Sequence, residues 1–139
     1  MLKNIYALAA GIALGLEYGD NFNSVLISNA VREMKRFLRI VYGKKRNINH
    51  SAYLGDLLVT AFSSYSRNRN FGEWIGKGHS VKETQAILKM VAEGYYAVAS
   101  AIKINDGQTH IPIIEAVHEI LYQGGAPEKV FAQLSDQLS

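Results

Sequence analysis

Residues 23–42 read NSVLISNAVREMKRFLRIVY, and this stretch decides the fold class. Leu26, Ala30, Met34, Phe37 and Val41 recur every third or fourth position, so on a helix they form one apolar stripe. Arg32, Lys35, Arg36 and Arg39 fall on the other faces, and Gly43 ends the pattern.

The stretch before it has the same period with almost no charge. From Lys3 to Leu16, Ile5, Leu8, Ala9, Ile12 and Leu16 line a helix whose other faces are filled by Ala and Gly, as expected of a helix buried on most sides. Lys3 followed by an apolar run also resembles a short secretory signal. The run is too short to span a bilayer and no small-residue cleavage site follows, which favours an ordinary core helix. Gly19, Asp20 and Asn21 mark the turn between the two helices.

Downstream, residues 44–51 read as a polar loop and 54–62 as a brief apolar helix with Gly55 and Asp56 near its start. Residues 63–70 are rich in hydroxyls, Arg and Asn, and lead into a helix over 71–75 that ends near Gly76 and Gly78. Ser80 and Glu83 form a capping box that opens a helix through Met90. Further helices are predicted over 93–105, over 112–122 and over 127–138, the last two with proline at the first turn. Alternation of the strand type is absent throughout. The expected architecture is all-α, a compact bundle of about seven to nine helices forming one domain over 1–139.

Composition bounds the function. Of the 139 residues, 48% are hydrophobic, enough for a real core, and the net charge of +3 is too small to mark a disordered tail. With no cysteine, thiolate catalysis, disulfides and thiolate metal sites are excluded together, and the cytoplasm is the default compartment. His50, His79, His110 and His118 have no metal-site spacing, and no G-x-S-x-G elbow supports hydrolase chemistry. Gly76-Lys77-Gly78 lacks the third glycine of a dinucleotide loop and follows a helical pattern, so it reads as a helix terminator. The basic run Lys35, Arg36, Arg39, Lys44, Lys45 and Arg46 has no interleaved aromatic platform. It reads as a solvated face, and no nucleic-acid partner is expected. No transmembrane segment is expected either.

One segment suggests ligand chemistry. Tyr65-Ser66-Arg67-Asn68-Arg69-Asn70 sets a forked guanidinium and amide donors ahead of a helix, whose first N–H groups also face an anion. A helix cap with two solvated arginines explains the same residues. Asp56 is ambiguous in the same way between a cap and, with Thr60 one turn on, one wall of a cleft.

Taken in order, Lys3-Asn4, Gly19-Asp20-Asn21, Gly55-Asp56-Leu57 with Thr60, Ser66-Arg67-Asn68 with Gly72, and Val91 to Gly94 resemble bacterial-type NAD(P)-dependent glycerol-3-phosphate dehydrogenase, and the likeness continues from Pro112 to Gly124. The resemblance implies the helical, substrate-binding C-terminal half of an oxidoreductase that interconverts sn-glycerol 3-phosphate and dihydroxyacetone phosphate, feeding glycerophospholipid synthesis. Its NAD or NADP would be bound mainly by an N-terminal Rossmann domain absent from this chain. By the same resemblance Lys3 is the catalytic lysine, Asn4, Asp56 and Thr60 are substrate-site positions, and Ser66, Arg67 and Asn68 clamp the phosphate. Arg67, Val91 and Glu93 approach the cofactor. The partners implied are a small phosphorylated triose and the Rossmann domain of the same parent protein; association into a homodimer stays open. The resemblance also implies a piece of a longer chain, inactive alone, with Met1 as an added or replaced start. The rival expectation is a non-catalytic helical interaction or dimerisation module that has lost its nucleotide-binding domain.

Overall fold

The computed structural model describes residues 2–42 and 66–139. Within them lie seven helices and no strand: α1 (Leu2–Gly15), α2 (Asp20–Tyr42), α3 (Arg67–Gly76), α4 (Val81–Leu88), α5 (Glu93–Asn105), α6 (Pro112–Tyr122) and α7 (Pro127–Gln137). The expected helix over 54–62 lies outside the described residues.

α1 is the axis of the bundle. Residues 5–13 are buried on every side, and α2, α3, α5 and α6 all pack on it. This is what an apolar helix with small residues on its remaining faces must do, since any exposed face would place apolar surface in water. A turn separates the first two helices as expected, but it lies over residues 16–19, and Asp20 and Asn21 already belong to α2. Glu17 takes a left-handed backbone (φ 67°), and α2 begins at Asp20, three residues before the apolar stripe suggested. Leu26, Ala30, Met34 and Phe37 reach the core, but Val41 at the end of the stripe is 42% exposed.

The most extensive helix contact joins α1 and α3, and it is made by backbone. A Cβ on Gly11 would overlap the Arg69 carbonyl oxygen, and one on Gly15 the Glu73 carbonyl oxygen. From the other side, Gly72 faces the Leu8 carbonyl and Gly76 the Ile12 carbonyl just as closely. Each helix therefore carries a G-x-x-x-G step on the facing side, which lets the backbones meet without side chains between them. Leu8 meets Gly72 and Ile12 meets Gly76, so contacts advance together and the two helices run in the same direction. Their N-terminal ends lie at the same end of the bundle. Gly76 thus ends α3, as its sequence context suggests, and also forms part of this crossing.

α6 is held at its start by a carboxylate from another helix. Its N-cap residue, Ile111, has no side-chain oxygen to offer. Instead Glu33 of α2, fully buried, accepts from Ile113 N at 2.8 Å through Oε1. Its Oε2 accepts from Ile114 N at 3.1 Å and from the Tyr6 hydroxyl at 3.0 Å. Burial pushes the Glu33 carboxyl up to about 7, against the opposing pull of the Ile113 and Ile114 N–H groups, the Tyr6 hydroxyl and the charge of Arg36. Burial, followed by the nearby Glu33 charge, holds the Tyr6 hydroxyl well above its ordinary value. Arg36, one of the cations assigned to a solvated face, donates from Nε to the His110 carbonyl at 2.9 Å and ties α2 to the same loop. At the far end of α1, Tyr18 stacks on Phe22 with ring centres 4.4 Å apart, and Phe131 of α7 packs against both.

Two outcomes are expected. Gly72→Ala should lower unfolding free energy by about 1–3 kcal/mol or more, because backbone must move to admit the methyl group. Gly19→Ala, where nothing stands within 4 Å, should change it by less than about 0.5 kcal/mol. Urea titrations compare the two, and equal effects would contradict the backbone crossing. The Glu33 carboxyl is raised in the fold from 4.5 to about 7, so its contribution is full below pH 4.5 and is lost as pH rises through 7. Glu33→Gln sets an amide NH2 against a backbone N–H and should cost about 1–3 kcal/mol. The gap to the wild type should be widest below pH 4.5 and narrow as pH rises to about 7, at no more than about 1.4 kcal/mol per pH unit. A gap that grows with pH would overturn the assignment.

Candidate functional site

The starts of α1, α3 and α5 meet at one end of the bundle. α3 begins at Arg67, four residues earlier than its apolar pattern suggests, because Ser66 caps it: the Ser66 Oγ accepts from Arg69 N at 3.3 Å. The polar Arg67-Asn68-Arg69-Asn70 stretch is thus the helix's own first turn. α5 begins after Ala92, which has no side-chain oxygen to cap it. Asn68 supplies the missing acceptor from α3: its Oδ1 accepts from Gly94 N at 2.7 Å in a buried hydrogen bond. From α1, Asn4 Nδ2 donates to Glu93 Oε2 at 3.0 Å.

Gly94 is the residue on which the three elements close. A Cβ there would stand 2.8 Å from the Asn4 carbonyl oxygen and 2.9 Å from Asn68 Oδ1, so no side chain fits between α5 and the other two helices. Lys3 and Arg67 are exposed, and each directly precedes a member of this knot, Asn4 and Asn68. Val91 is half-buried just ahead of α5, and Glu93 is exposed in its first turn. Asn4, Asn68 and Glu93 are therefore joined through hydrogen bonds and contact at Gly94, while Lys3, Ser66, Arg67 and Val91 occupy the same three helix starts. Asp56 and Thr60 lie outside the described residues.

The chemistry available is anion binding with a proton donor nearby. Helix starts leave N–H groups unpaired and carry partial positive charge. The Arg67 guanidinium can grip two oxygens of one phosphate, and the Ser66 hydroxyl accepts from Arg69 and keeps its own proton to donate. Asn68 differs from the expectation of a simple amide clamp, since its carbonyl is already committed to α5. The signal for this was the uncapped Ala92-Glu93-Gly94 start, which requires an acceptor from elsewhere.

The family of the NAD-dependent glycerol-3-phosphate dehydrogenase C-terminus matches residues 1–132. A glycerol-3-phosphate dehydrogenase [NAD(P)+] of Salinibacter ruber is 38% identical over 136 residues, covering 95% of this chain and 39% of that protein. One from Lactobacillus delbrueckii subsp. bulgaricus is 42% identical over 124 residues, with 88% and 37% covered. The crystal structure of glycerol-3-phosphate dehydrogenase from Coxiella burnetii superposes with a TM-score of 0.86 at 32% identity, over 96% of this chain and 41% of that one. The chain spans about two fifths of the length of the curated relatives it matches. No helix among the described residues is long and apolar enough to cross a membrane.

The capping role of Ser66 is testable by stability alone. Ser66→Ala should lower unfolding free energy by about 1 kcal/mol, whereas Ser66→Asp, an equally good cap, should stay within a few tenths of wild type. Equal losses in thermal denaturation would show that the hydroxyl does not cap α3.

Proposed function

This chain belongs to the NAD-dependent glycerol-3-phosphate dehydrogenase C-terminal family, and on that premise we propose that it forms the substrate side of an enzyme interconverting sn-glycerol 3-phosphate and dihydroxyacetone phosphate. The observation that carries the proposal is the meeting of the α1, α3 and α5 starts, which sets Lys3, the Ser66-Arg67-Asn68 segment and Glu93 on three joined elements.

Each residue type suits its task. Arg67 binds the phosphate through its fork, with Ser66 and Asn68 adding neutral donors, so a phosphorylated triose is favoured over free glycerol. As the central carbonyl is reduced, negative charge grows on its oxygen. The Lys3 ammonium stabilises that charge and delivers its proton to the oxygen; in the reverse direction the Lys3 amine takes the hydroxyl proton back. Asp56 and Thr60, outside the described residues, are assigned to the substrate by the family resemblance alone.

NAD or NADP, when bound, supplies or accepts the hydride. The described residues contain no strand and no glycine-rich strand–turn–helix, so they offer no cradle for the dinucleotide pyrophosphate. What they offer is an edge: Arg67, Val91 and Glu93, on or just ahead of adjoining helix starts, would meet the cofactor from this side. We place the nucleotide-binding part in the portion of the relatives' length that this chain does not span. The reaction belongs in the cytoplasm and supplies the glycerol phosphate backbone for glycerophospholipids.

The test joins this chain to a nucleotide-binding domain from a dehydrogenase of this family and follows NADH or NADPH oxidation with dihydroxyacetone phosphate. Arg67→Ala should raise KM roughly 10–100-fold, as expected for charge-assisted hydrogen bonds, and Arg67→Lys should recover only part of it. Lys3→Ala should leave KM nearly unchanged and lower kcat by about 100-fold or more. The chain alone should show no turnover. Unaltered kinetics in both alanine variants would remove the proposal.

A further inference from the structure

We propose that Asn68 is a positioning residue that transmits occupancy of the phosphate side of the site to the first turn of α5. The inference rests on the phosphate-binding reading above and goes beyond it, assigning the Asn68 carbonyl a task separate from any contact its amide nitrogen makes with a ligand.

The geometry leaves the amide one orientation. The Gly94 N–H is a donor, so the group facing it at 2.7 Å must be the Asn68 oxygen, which turns the NH2 end the other way. Asn68 is only 7% exposed, and its amide nitrogen faces away from the Gly94 N–H. Gly94 lies close against this contact, since a Cβ there would stand 2.9 Å from Asn68 Oδ1 and 2.8 Å from the Asn4 carbonyl oxygen. Its neighbour Glu93 is tied to Asn4. Thus the hydrogen bond that completes the start of α5 comes from a side chain of the α3 first turn, the same turn that carries Arg67.

An amide that donates through its nitrogen becomes a better acceptor at its oxygen, because hydrogen bonds in a chain polarise one another. A phosphate held by the Asn68 NH2 group therefore tightens the bond from Gly94 and steadies the turn that carries Glu93. By linkage, whatever steadies that turn strengthens phosphate binding by the same factor. In this way the substrate side and the edge assigned to the cofactor become energetically coupled across one side chain.

Amide hydrogen exchange measured by NMR on the 139-residue chain tests this, with dihydroxyacetone phosphate and inorganic phosphate as probes and glycerol as the uncharged control. At saturation by either anion, exchange at Gly94 N–H should slow by roughly twofold or more, with no change in glycerol. Asn68→Ala should speed Gly94 exchange by about fivefold or more and abolish its response to ligand. Asn68→Asp keeps the acceptor and loses the donor, so Gly94 should stay protected while the response to ligand disappears. If the alanine variant does not fold, the aspartate variant carries the test by itself. Arg67→Ala should remove binding and response together. Saturable shifts at the Arg67 Nε–H without slowed exchange at Gly94 would overturn the coupling and leave phosphate binding standing. A wild-type chain with no saturable shift in either anion would remove both.

Discussion

Backbone contact between α1 and α3 is the constraint on which the rest of the molecule depends. Four glycines, Gly11, Gly15, Gly72 and Gly76, allow two helices to touch with no side chain between them. Each glycine in a helix interior costs about 1 kcal/mol against alanine, so the chain accepts a weak local preference to gain a close crossing. That crossing fixes register as well as distance: one residue of slip would set a carbonyl against a side chain. Because the two helices run in the same direction, fixed register brings Asn4 and Asn68 to the same level, and Gly94 of α5 closes on both. The site is a consequence of helix packing.

A second theme is that helices lacking a cap of their own are completed by other helices. α5 starts after Ala92 and α6 after Ile111, neither able to accept a hydrogen bond from a side chain. Asn68 serves the first and Glu33 the second. Each such bond satisfies a buried donor and joins two elements far apart in sequence, so local helix stability and tertiary order are lost together. Where caps are local, at Ser66 and in the Ser80–Glu83 box, the helices begin independently of their neighbours.

This division explains how much could be read from the sequence. Local signals were legible: both bonds of the capping box form, at 3.1 Å each, Pro112 and Pro127 open their helices, and α5 and α6 span the residues that periodicity indicated. The all-α class and the central burial of α1 followed from periodicity and the near absence of charge. The start of α3 was less legible, since its first turn faces the site and carries no apolar stripe. The crossing itself could not be read, because glycine at Gly76 looks the same whether it ends a helix or touches one. Glu33 gave no warning either, a carboxylate beside Met34 on a helix rich in Arg and Lys, and its burial depends on donors eighty residues away. Within the candidate site, the residue types of Ser66-Arg67-Asn68 suggested an anion site, but the bond from Gly94 N to the Asn68 carbonyl needed coordinates.

The shared direction of α1 and α3 has an electrostatic consequence. Two adjacent parallel helices align their dipoles side by side, an arrangement of like poles that is unfavourable by itself, and Lys3 and Arg67 add full charges at the same pole. This end of the bundle therefore gathers two helix N-termini and two cationic side chains, with the Glu93 carboxylate at the adjoining start of α5, above the glycine contact. An anion bound here, as the proposed function requires, would offset that arrangement of like poles. Occupancy should raise the melting temperature of the domain through mass action, and high salt should mimic part of that effect by screening.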